Sequence, residues 1–237
     1  MLKFVVVDDE PLALEILDGY LKRINNVHSV AMFSNAVAAL HHLENNAADV
    51  LLLDIEMPEM TGIEFLKQLS DPPLTVFTTA YRHYAFDGYE LGVIDFLLKP
   101  VSFNRFSQAI AKITEFLSLK EQNLNLEDIT AGETRDFIFV KSGVKRIKLA
   151  FNDVIYIQGL KDYAIIYTPT EKIILKGSIK AMLDIFPQDR FIRVHKSFIV
   201  SVYKIKRLEK NHILLSGHQI PIGRNFKDNL EKRLNAK

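Results

Sequence analysis

The sequence predicts two domains, a doubly wound α/β domain with a parallel sheet followed by a mostly β domain. Three observations lead to this prediction. Short β-branched runs alternate with helical segments up to about residue 120, which is typical of a parallel sheet covered by helices on both faces. Beyond residue 136, short strands follow one another with few helices between them. The halves also differ in charge, because residues 1–120 carry 9 basic and 16 acidic side chains and residues 121–237 carry 21 and 13.

The α/β half is predicted from apolar β-branched runs that are too short to be helices. Five strands are expected, and the second has the weakest pattern. Helical periodicity separates the strands and continues into a last helix that closes the domain. The predicted strands are Lys3–Val7, His28–Phe33, Val50–Leu53, Leu74–Thr78 and Ile94–Leu98. The predicted helices are Pro11–Arg23, Asn35–Asn45, Gly62–Leu69, Tyr84–Leu91 and Phe103–Leu119.

A polar stretch separates the two halves. Residues 121–136 are rich in Asn, Glu, Asp, Thr and Gly and show little apolar periodicity, which is typical of a linker. The domains are therefore predicted at residues 1–120 and 137–237, and a hairpin is expected to open the second one. Its predicted strands are Phe137–Lys141, Lys145–Leu149, Val154–Gln158, Ala164–Thr168, Lys172–Leu175, Phe198–Val200, Ile205–Leu208, His212–Leu215 and Gln219–Ile222, with helices at Ser178–Ile185 and Asn225–Leu234.

Composition excludes several kinds of site. The chain has no cysteine, so disulfides and cysteine-ligated metals are excluded, and a reducing cytoplasm is the expected compartment. No run of about 18 apolar residues occurs, so membrane insertion is not expected. The basic excess of the second half makes nucleic acid a candidate partner, because phosphate neutralisation dominates such binding. Two differently charged solvated surfaces would give the same counts, and charge alone does not decide between these interpretations.

Polar residues stand where the predicted strands of the first half end. They are Asp8 and Asp9 after the first strand, Asp54 after the third, Thr79 after the fourth and Lys99 after the fifth. Because the carboxyl ends of the strands meet at one edge of a doubly wound sheet, these side chains should converge. Carboxylates gathered at one point need a cation, and oxygen ligands suit Mg²⁺. A carboxylate beside Mg²⁺ can become an aspartyl phosphate, which Lys99 and Thr79 could then bind.

These motifs resemble the receiver domain of two-component response regulators, a flavodoxin-like fold, across about 120 residues. Residues 54–62 are similar to the phosphoacceptor loop of that family, and the resemblance implies Asp54 as the phosphoacceptor. It implies three carboxylates and one backbone carbonyl as Mg²⁺ ligands, namely those of Asp8, Asp9, Asp54 and Glu56. It implies a switch hydroxyl, a phosphate-binding ammonium and a switch aromatic, namely those of Thr79, Lys99 and Phe96.

Simpler interpretations stay open at several of these positions. Asp8-Asp9 could be acids favoured by the dipole at the start of a helix. Asp54 could cap the end of a strand, and Phe96 could be an ordinary core residue. Thr78 competes with Thr79 for the role of the hydroxyl, although Thr79 fits the family pattern because it directly precedes an alanine.

The second half resembles the LytTR DNA-binding domain over about residues 135–235. The resemblance rests on residues 154–157, 161–163, 191–200 and 220–224. Such domains are rich in β-strands and place loops in successive major grooves of double-stranded DNA. The residues that it puts in DNA-facing loops are Lys161, Asp162, Tyr163, Lys196 and Arg224. Of these, Arg224 could form two hydrogen bonds to guanine, whereas the lysines could bind a base or a phosphate.

Two further positions in this half need their own interpretation. Gly223 stands where many members of the family carry a serine, so one possible hydrogen bond to DNA is missing. His195 is interpreted first as a structural histidine that bonds to nearby backbone, and only second as a DNA contact.

Taken together, the motifs predict a response regulator that controls transcription. A sensor histidine kinase is expected to phosphorylate Asp54, and the added charge of about −1.5 to −2 is expected to reposition Thr79 and Phe96. The phosphorylated protein is expected to form a homodimer whose two DNA-binding domains occupy paired half-sites. It is not expected to be an enzyme, beyond accepting the phosphoryl group and losing it by autodephosphorylation.

Two rival functions remain in view. One is a Mg²⁺-dependent phosphohydrolase that also uses an aspartyl phosphate. Such enzymes usually carry a second aspartate two residues after the nucleophile, where Glu56 stands here. The other keeps the receiver but gives the C-terminal domain an RNA or a protein as its partner.

Overall fold

A computed structural model describes residues 2–25, 27–81, 91–121, 124–125, 129–131, 136–142 and 145–235. The chain divides into two compact units, Met1–Glu115 and Phe116–Lys237. Among the described residues, no helix is both long enough and apolar enough to cross a membrane.

The first unit is built on a five-stranded parallel sheet in the order β2-β1-β3-β4-β5. Its strands are β1 (Leu2–Val7), β2 (Val27–Phe33), β3 (Val50–Asp54), β4 (Leu74–Thr79) and β5 (Asp95–Leu98). The strand order reverses at β1, so the sheet is doubly wound, as predicted. Every residue of β3 and of β4 is buried, which is expected for strands covered on both faces.

Four helices are described alongside these strands. They are α1 (Pro11–Leu21), α2 (Ala36–Asn45), α3 (Gly62–Gln68) and α4 (Phe103–Lys120). The helix predicted at Tyr84–Leu91 falls almost entirely on residues 82–90, which lie outside the described residues.

Local capping chemistry sets the starts of the first three helices. Helix α1 begins at Pro11, whose missing N–H costs nothing in a first turn. The Asn35 side chain accepts a hydrogen bond from the Ala38 N–H at the start of α2. Thr61 and Glu64 form a capping box at the start of α3, because each side chain bonds to the backbone of the other. These caps fix the lengths of the loops that leave the sheet.

The second unit is mostly β and contains three antiparallel sheets in the orders β6-β7-β8, β11-β10-β9-β13-β12 and β14-β15-β16. The strands of the first sheet are β6 (Ile129–Ala131), β7 (Phe137–Ser142) and β8 (Lys145–Ala150). Those of the largest sheet are β9 (Tyr156–Leu160), β10 (Tyr163–Tyr167), β11 (Lys172–Lys176), β12 (Phe191–His195) and β13 (Phe198–Ser201). The third sheet comprises β14 (Ile205–Leu208), β15 (His212–Leu215) and β16 (His218–Pro221). The described α-helices that begin in this unit are α5 (Ile179–Ile185) and α6 (Lys227–Asn235).

Two strands of this unit were not predicted. Strand β12 has four buried residues out of five, including the polar His195, so it lacks the alternation that marks a half-buried strand. Strand β6 lies within residues 121–136, the segment predicted as a linker, and with three residues it is too short to show a period. In the same segment, Leu124 is buried in the core of the second unit and its carbonyl accepts a hydrogen bond from the Lys176 N–H. Part of the predicted linker therefore belongs to a folded domain, and the domain boundaries themselves stay predictions.

Candidate functional site

The acidic residues that follow β1 and β3 meet at the carboxyl edge of the parallel sheet. One carboxylate oxygen from each of Asp8, Asp9 and Asp54 lies within 4.8 Å of the other two. The ammonium of Lys99, which follows β5, lies 2.9 Å from Asp8 Oδ2 and 3.3 Å from Asp54 Oδ2. The backbone N–H of Lys99 donates to the Thr79 carbonyl at 2.7 Å. The predicted convergence is therefore observed for the side chains of Asp8, Asp9, Asp54 and Lys99, whereas for Thr79 the contact with Lys99 is one of backbone.

Burial makes it costly to keep the carboxyl groups of this cluster ionised. Asp8 is fully buried and Asp54 is 3% exposed. Burial raises the pKa of Asp54 to about 7, the Asp8 charge adds to that rise, and Lys99 opposes it. Burial also raises the pKa of Asp8, again against Lys99. The pKa of Lys99 is raised, although burial would lower it, because its hydrogen bond to Asp8 and the charges of the carboxylates outweigh burial. The site therefore carries more negative charge than Lys99 alone neutralises.

The donor set fits a divalent cation that prefers oxygen. Asp8 Oδ2 is buried and accepts no hydrogen bond from any described residue, although the Lys99 ammonium lies near it as an ion pair. A cation would satisfy that oxygen and also relieve the repulsion between the carboxylates. Glu56 is exposed in the loop after Asp54, where its backbone carbonyl was predicted as a further ligand.

The loop after Asp54 folds closely back onto the strand that carries it. The Ile55 N–H donates to Asp54 Oδ1 at 2.9 Å, and the Gly62 N–H donates to the Ile55 carbonyl at 2.8 Å. A Cβ atom at Gly62 would overlap the Asp54 carbonyl oxygen and lie 3.0 Å from its carbon. Only a glycine fits there without a shift of the loop. Sequence analysis did not assign Gly62 a role in the site, since the only signal is one glycine at the first residue of a helix.

The two threonines at the end of β4 have different hydroxyl environments. Thr78 lies opposite Asp54 in the strand register. Its hydroxyl is buried and has no hydrogen-bond partner among the described residues. Thr79 is also buried, and its hydroxyl accepts a hydrogen bond from the Tyr81 N–H at 3.2 Å. These contacts do not test which hydroxyl responds to phosphorylation, so the assignment of the switch hydroxyl to Thr79 stays a prediction.

An ion-pair cluster that sequence analysis missed lies next to the predicted switch aromatic. Arg105 of α4 donates to both carboxylate oxygens of Asp95, at 2.8 and 2.7 Å, and to the Phe96 carbonyl at 2.8 Å. Lys112 lies 3.0 Å from the same carboxylate. Phe96 itself is half-buried and packs against the core of the first unit. An acid inside an otherwise apolar strand was the available signal, since a buried charge needs a partner.

Among the loops predicted to face DNA, the turn between β9 and β10 consists of Lys161 and Asp162. Leu160 pairs with Tyr163 across it, so it is a two-residue hairpin, and Lys161 has the positive φ of 52° that such turns need. The Asp162 carbonyl accepts from the Gly177 N–H at 2.6 Å. Tyr163 starts β10, and its ring packs edge-on against Phe116, which also belongs to the second unit.

Backbone bonds link the next two predicted DNA-facing segments to this sheet. The Gly159 N–H donates to the carbonyl of Ser197, in the turn that carries Lys196. The Gly223 N–H, immediately before Arg224, donates to the Val194 carbonyl at 2.9 Å. The sheet thus anchors the backbone around Lys161, Lys196 and Arg224, and their contacts with DNA stay predictions.

His195 and Gly223 lie against each other. The Ser197 N–H donates to His195 Nδ1 at 3.2 Å, and His195 is 3% exposed, so the structural interpretation of this histidine is supported. A Cβ at Gly223 would lie 2.9 Å from a ring carbon of Phe226 and 3.2 Å from one of His195. The glycine therefore permits close packing here, and the serine that the family resemblance leads one to expect at this position would not fit without a shift.

Comparisons with known proteins agree with both halves of this description. Residues 4–111 match the family model of the response regulator receiver domain, and residues 145–235 match that of the LytTr DNA-binding domain. The sensory transduction protein LytT of Bacillus anthracis is 28% identical over 246 residues, covering 99% of each chain. The transcriptional regulatory protein YpdB of Escherichia coli is 27% identical over 211 residues, covering 88% of this chain and 86% of that protein.

Solved structures match each half separately. The response regulatory domain of mrkE from Klebsiella pneumoniae is 28% identical, with a TM-score of 0.46, and covers 49% of this chain and 98% of that one. A LytTr DNA-binding domain from Bacillus cereus is 25% identical, with a TM-score of 0.38, and covers 43% and 99%. Since a receiver model and a LytTR model match the two halves in turn, the chain belongs to the LytTR family of two-component response regulators, which regulate transcription.

Proposed function

We propose that phosphorylation of Asp54 by a sensor histidine kinase controls the binding of the C-terminal domain to double-stranded DNA. The observation that carries this proposal is the group of three carboxylates beside Lys99 at the carboxyl edge of the sheet, two of which, those of Asp8 and Asp54, are buried. Such a group is costly to maintain unless a cation neutralises part of its charge, and carboxyls with a strongly raised pKa are typical of functional sites.

The phosphoacceptor step follows from the placement of these side chains. A carboxylate oxygen of Asp54 attacks the phosphorus of a phosphohistidine on the kinase, the phosphorus–nitrogen bond breaks, and an acyl phosphate forms. Asp8, Asp9, Asp54 and the Glu56 backbone carbonyl would hold Mg²⁺, and the bound ion would neutralise charge on the phosphoryl oxygens. Lys99, already 3.3 Å from Asp54, supplies a compact positive charge to the same oxygens. Attack of water on the acyl phosphate would end the signal, so Asp54 would dephosphorylate without a separate enzyme.

The response is proposed to pass through the residues at the ends of β4 and β5. The Thr79 hydroxyl turns towards the phosphate, and Phe96 changes its packing. The altered surface favours a homodimer, so that two DNA-binding domains engage paired half-sites in the cytoplasm. Linking the two sites raises the effective concentration of the second domain once the first has bound.

Intact-mass analysis after incubation with acetyl phosphate and Mg²⁺ tests the first step. We expect one added phosphoryl group on the wild type and none on Asp54→Ala. No adduct on the wild type at any Mg²⁺ concentration would contradict the receiver chemistry. Steady hydrolysis of small phosphate esters would instead favour a phosphohydrolase.

Two binding measurements test the later steps. Sedimentation of the phosphorylated and unphosphorylated protein should show dimers only in the former, with Asp54→Asn staying monomeric. DNA binding should likewise be stronger for the phosphorylated protein than for the unphosphorylated protein or for Asp54→Asn. Stronger binding to a structured RNA than to duplex DNA at matched salt would contradict the proposed partner.

A further inference from the structure

Arg193 connects two of the predicted DNA-facing segments from within the protein. Its Nε donates to the His195 carbonyl at 3.2 Å, and one terminal nitrogen donates to the Lys196 carbonyl at 2.6 Å. Its guanidinium carbon also lies 5.5 Å from the centre of the Phe226 ring, a cation–π contact. One side chain therefore contacts both the turn that carries Lys196 and the segment that follows Arg224.

The first contact depends on the shape of the guanidinium group. Strands β12 and β13 lose register between Arg193 and His195, so the chain bulges immediately before the turn. Two successive carbonyls, that of His195 at the end of β12 and that of Lys196 in the turn, face the same planar group. A guanidinium holds its donors in a rigid fork that can serve both carbonyls at once, whereas an ammonium is a single point charge. The length and the charge of the side chain alone would not reproduce this geometry.

The second contact continues into the segment that carries Arg224. Phe226 lies against Gly223, so closely that a Cβ there would come within 2.9 Å of its ring. The Gly223 N–H is bonded in turn to the Val194 carbonyl, in the same strand as Arg193. Arg193, Phe226 and Gly223 therefore form a closed series of contacts that returns to β12. Arg224 follows this series directly in the chain.

The surroundings of Arg193 suit a role inside the protein. Its side chain is partly buried, and this burial lowers the pKa of the guanidinium. Its described hydrogen bonds go to the backbone carbonyls of His195 and Lys196. Of the other basic residues named for this interface, Lys161 and Arg224 are exposed and Lys196 is half-buried.

We propose that Arg193 is a positioning residue for DNA recognition, which holds the Lys196 turn and the Gly223-Arg224 segment in one fixed arrangement. This inference rests on the proposed DNA-binding function of those two segments. It assigns Arg193 no contact with DNA.

Two substitutions separate positioning from charge. Arg193→Lys keeps the positive charge but loses the fork, and Arg193→Gln loses both. Arg207→Gln is the matched control, because Arg207 is an exposed arginine on β14, outside these segments. The probes are a duplex selected from a random library with the full-length wild-type protein and a scrambled duplex of equal composition. Affinity is measured over a range of salt concentrations, at a temperature where circular dichroism shows each variant folded.

We expect both Arg193 variants to bind the selected duplex roughly tenfold more weakly, about the effect of one lost hydrogen bond to a charged group. Binding to the scrambled duplex and the salt dependence on the selected one should stay as in the wild type. In the free protein, the amide resonances of Ser197 and Gly223 should shift in Arg193→Lys and stay in place in Arg207→Gln.

Three results would overturn the inference. Full affinity in Arg193→Lys, with a loss in Arg193→Gln and a salt slope smaller by about 0.9, would make Arg193 a phosphate contact. An equal loss of affinity for both duplexes would indicate a general structural role. Wild-type affinity in Arg224→Ala would remove DNA recognition from the segment that carries Arg224, whereas failure of the wild type to select any duplex would contradict the proposed function separately from any result at Arg193.

Discussion

The ammonium of Lys99 donates a hydrogen bond to Asp8 Oδ1 at 3.1 Å and lies 2.9 Å from Oδ2 of the same carboxylate. Asp54 is more distant from it, at 3.3 Å. In the unphosphorylated protein Lys99 is therefore engaged mainly by a fully buried Asp8. A phosphate on Asp54 would have to compete with Asp8 for this ammonium, so phosphorylation and cation binding at Asp8 should support each other.

Replacing Lys99 should destabilise the protein, because the buried carboxylates lose their positively charged partner. We expect Lys99→Met, measured by urea unfolding in EDTA, to lower the free energy of unfolding by about 3 kcal/mol, because two buried acids lose their partner. Mg²⁺ should restore more stability to the variant than it adds to the wild type, since no ammonium then competes for the carboxylates.

The matched control is Lys22→Met, which removes a lysine from a surface pair with Asp18 one turn away on α1. It should change the free energy of unfolding by at most about 0.5 kcal/mol, with or without Mg²⁺. If Lys99→Met and Lys22→Met had the same free energy of unfolding in EDTA, the Lys99 contacts would not stabilise the buried carboxylates.

Thr78 and Thr79 at the end of β4 offer a second test, because only the Thr79 hydroxyl is bonded to a described residue. Thr79→Val should cost about 1 kcal/mol, through loss of the bond from the Tyr81 N–H, and it should abolish the gain in DNA binding on phosphorylation. Thr78→Val should be neutral or slightly stabilising and should keep that gain, because its buried hydroxyl gives up no described hydrogen bond. Urea unfolding and DNA binding with acetyl phosphate measure both effects. A loss of the gain in Thr78→Val, but not in Thr79→Val, would reverse the assignment.

The sequence was sufficient to predict the strands and helices that have a clear local pattern of apolar residues. The apolar runs around β3 and β4 predicted both strands to within one residue at either end. The rule that ligands gather at the carboxyl edge then brought Lys99 to Asp8, although 91 positions separate them. The order of the strands in the sheet brings these two residues together, and no short stretch of the sequence contains that information.

Features that depend on the exact approach of two elements were not predictable in this way. The bonds of Arg105 to Asp95 depend on how α4 lies beside β5. The closeness of Gly62 to the Asp54 carbonyl depends on the path of a single loop. Strand β12 was missed because Arg193 and the buried His195 interrupt its apolar residues, so it shows neither a continuous apolar run nor a regular alternation.

The pair formed by Asp95 and Arg105 should make stability depend on acid pH. Burial alone would raise the pKa of Asp95, but the Arg105 hydrogen bonds and the Lys112 charge outweigh it, so the pKa is lowered. A carboxyl with a lower pKa in the folded state contributes stability that is complete above its unfolded value, about 3.9. This contribution is lost as the pH falls through the lower folded value.

The measurement compares urea unfolding of the wild type and of Asp95→Asn between pH 7 and pH 3. We expect the wild type to be more stable at pH 7 and the difference to shrink below about pH 4. Taking the difference between the two proteins cancels the opposite contribution of Asp54, whose pKa is raised. A difference that stays constant down to pH 3 would mean that the charge of Asp95 does not stabilise the fold.

Gly62 and Gly19 should respond to alanine in opposite ways. At Gly62 the added methyl would meet the Asp54 carbonyl, so Gly62→Ala should destabilise the protein by about 2–3 kcal/mol and slow phosphorylation by acetyl phosphate. At Gly19, inside α1, a Cβ would meet no described atom within 4 Å, so Gly19→Ala should stabilise the protein by about 0.5–1 kcal/mol. Urea unfolding gives the two free energies, and intact-mass time courses give the phosphorylation rates. Phosphorylation of Gly62→Ala at the wild-type rate would show that the loop can move away from Asp54 without disturbing the phosphoacceptor.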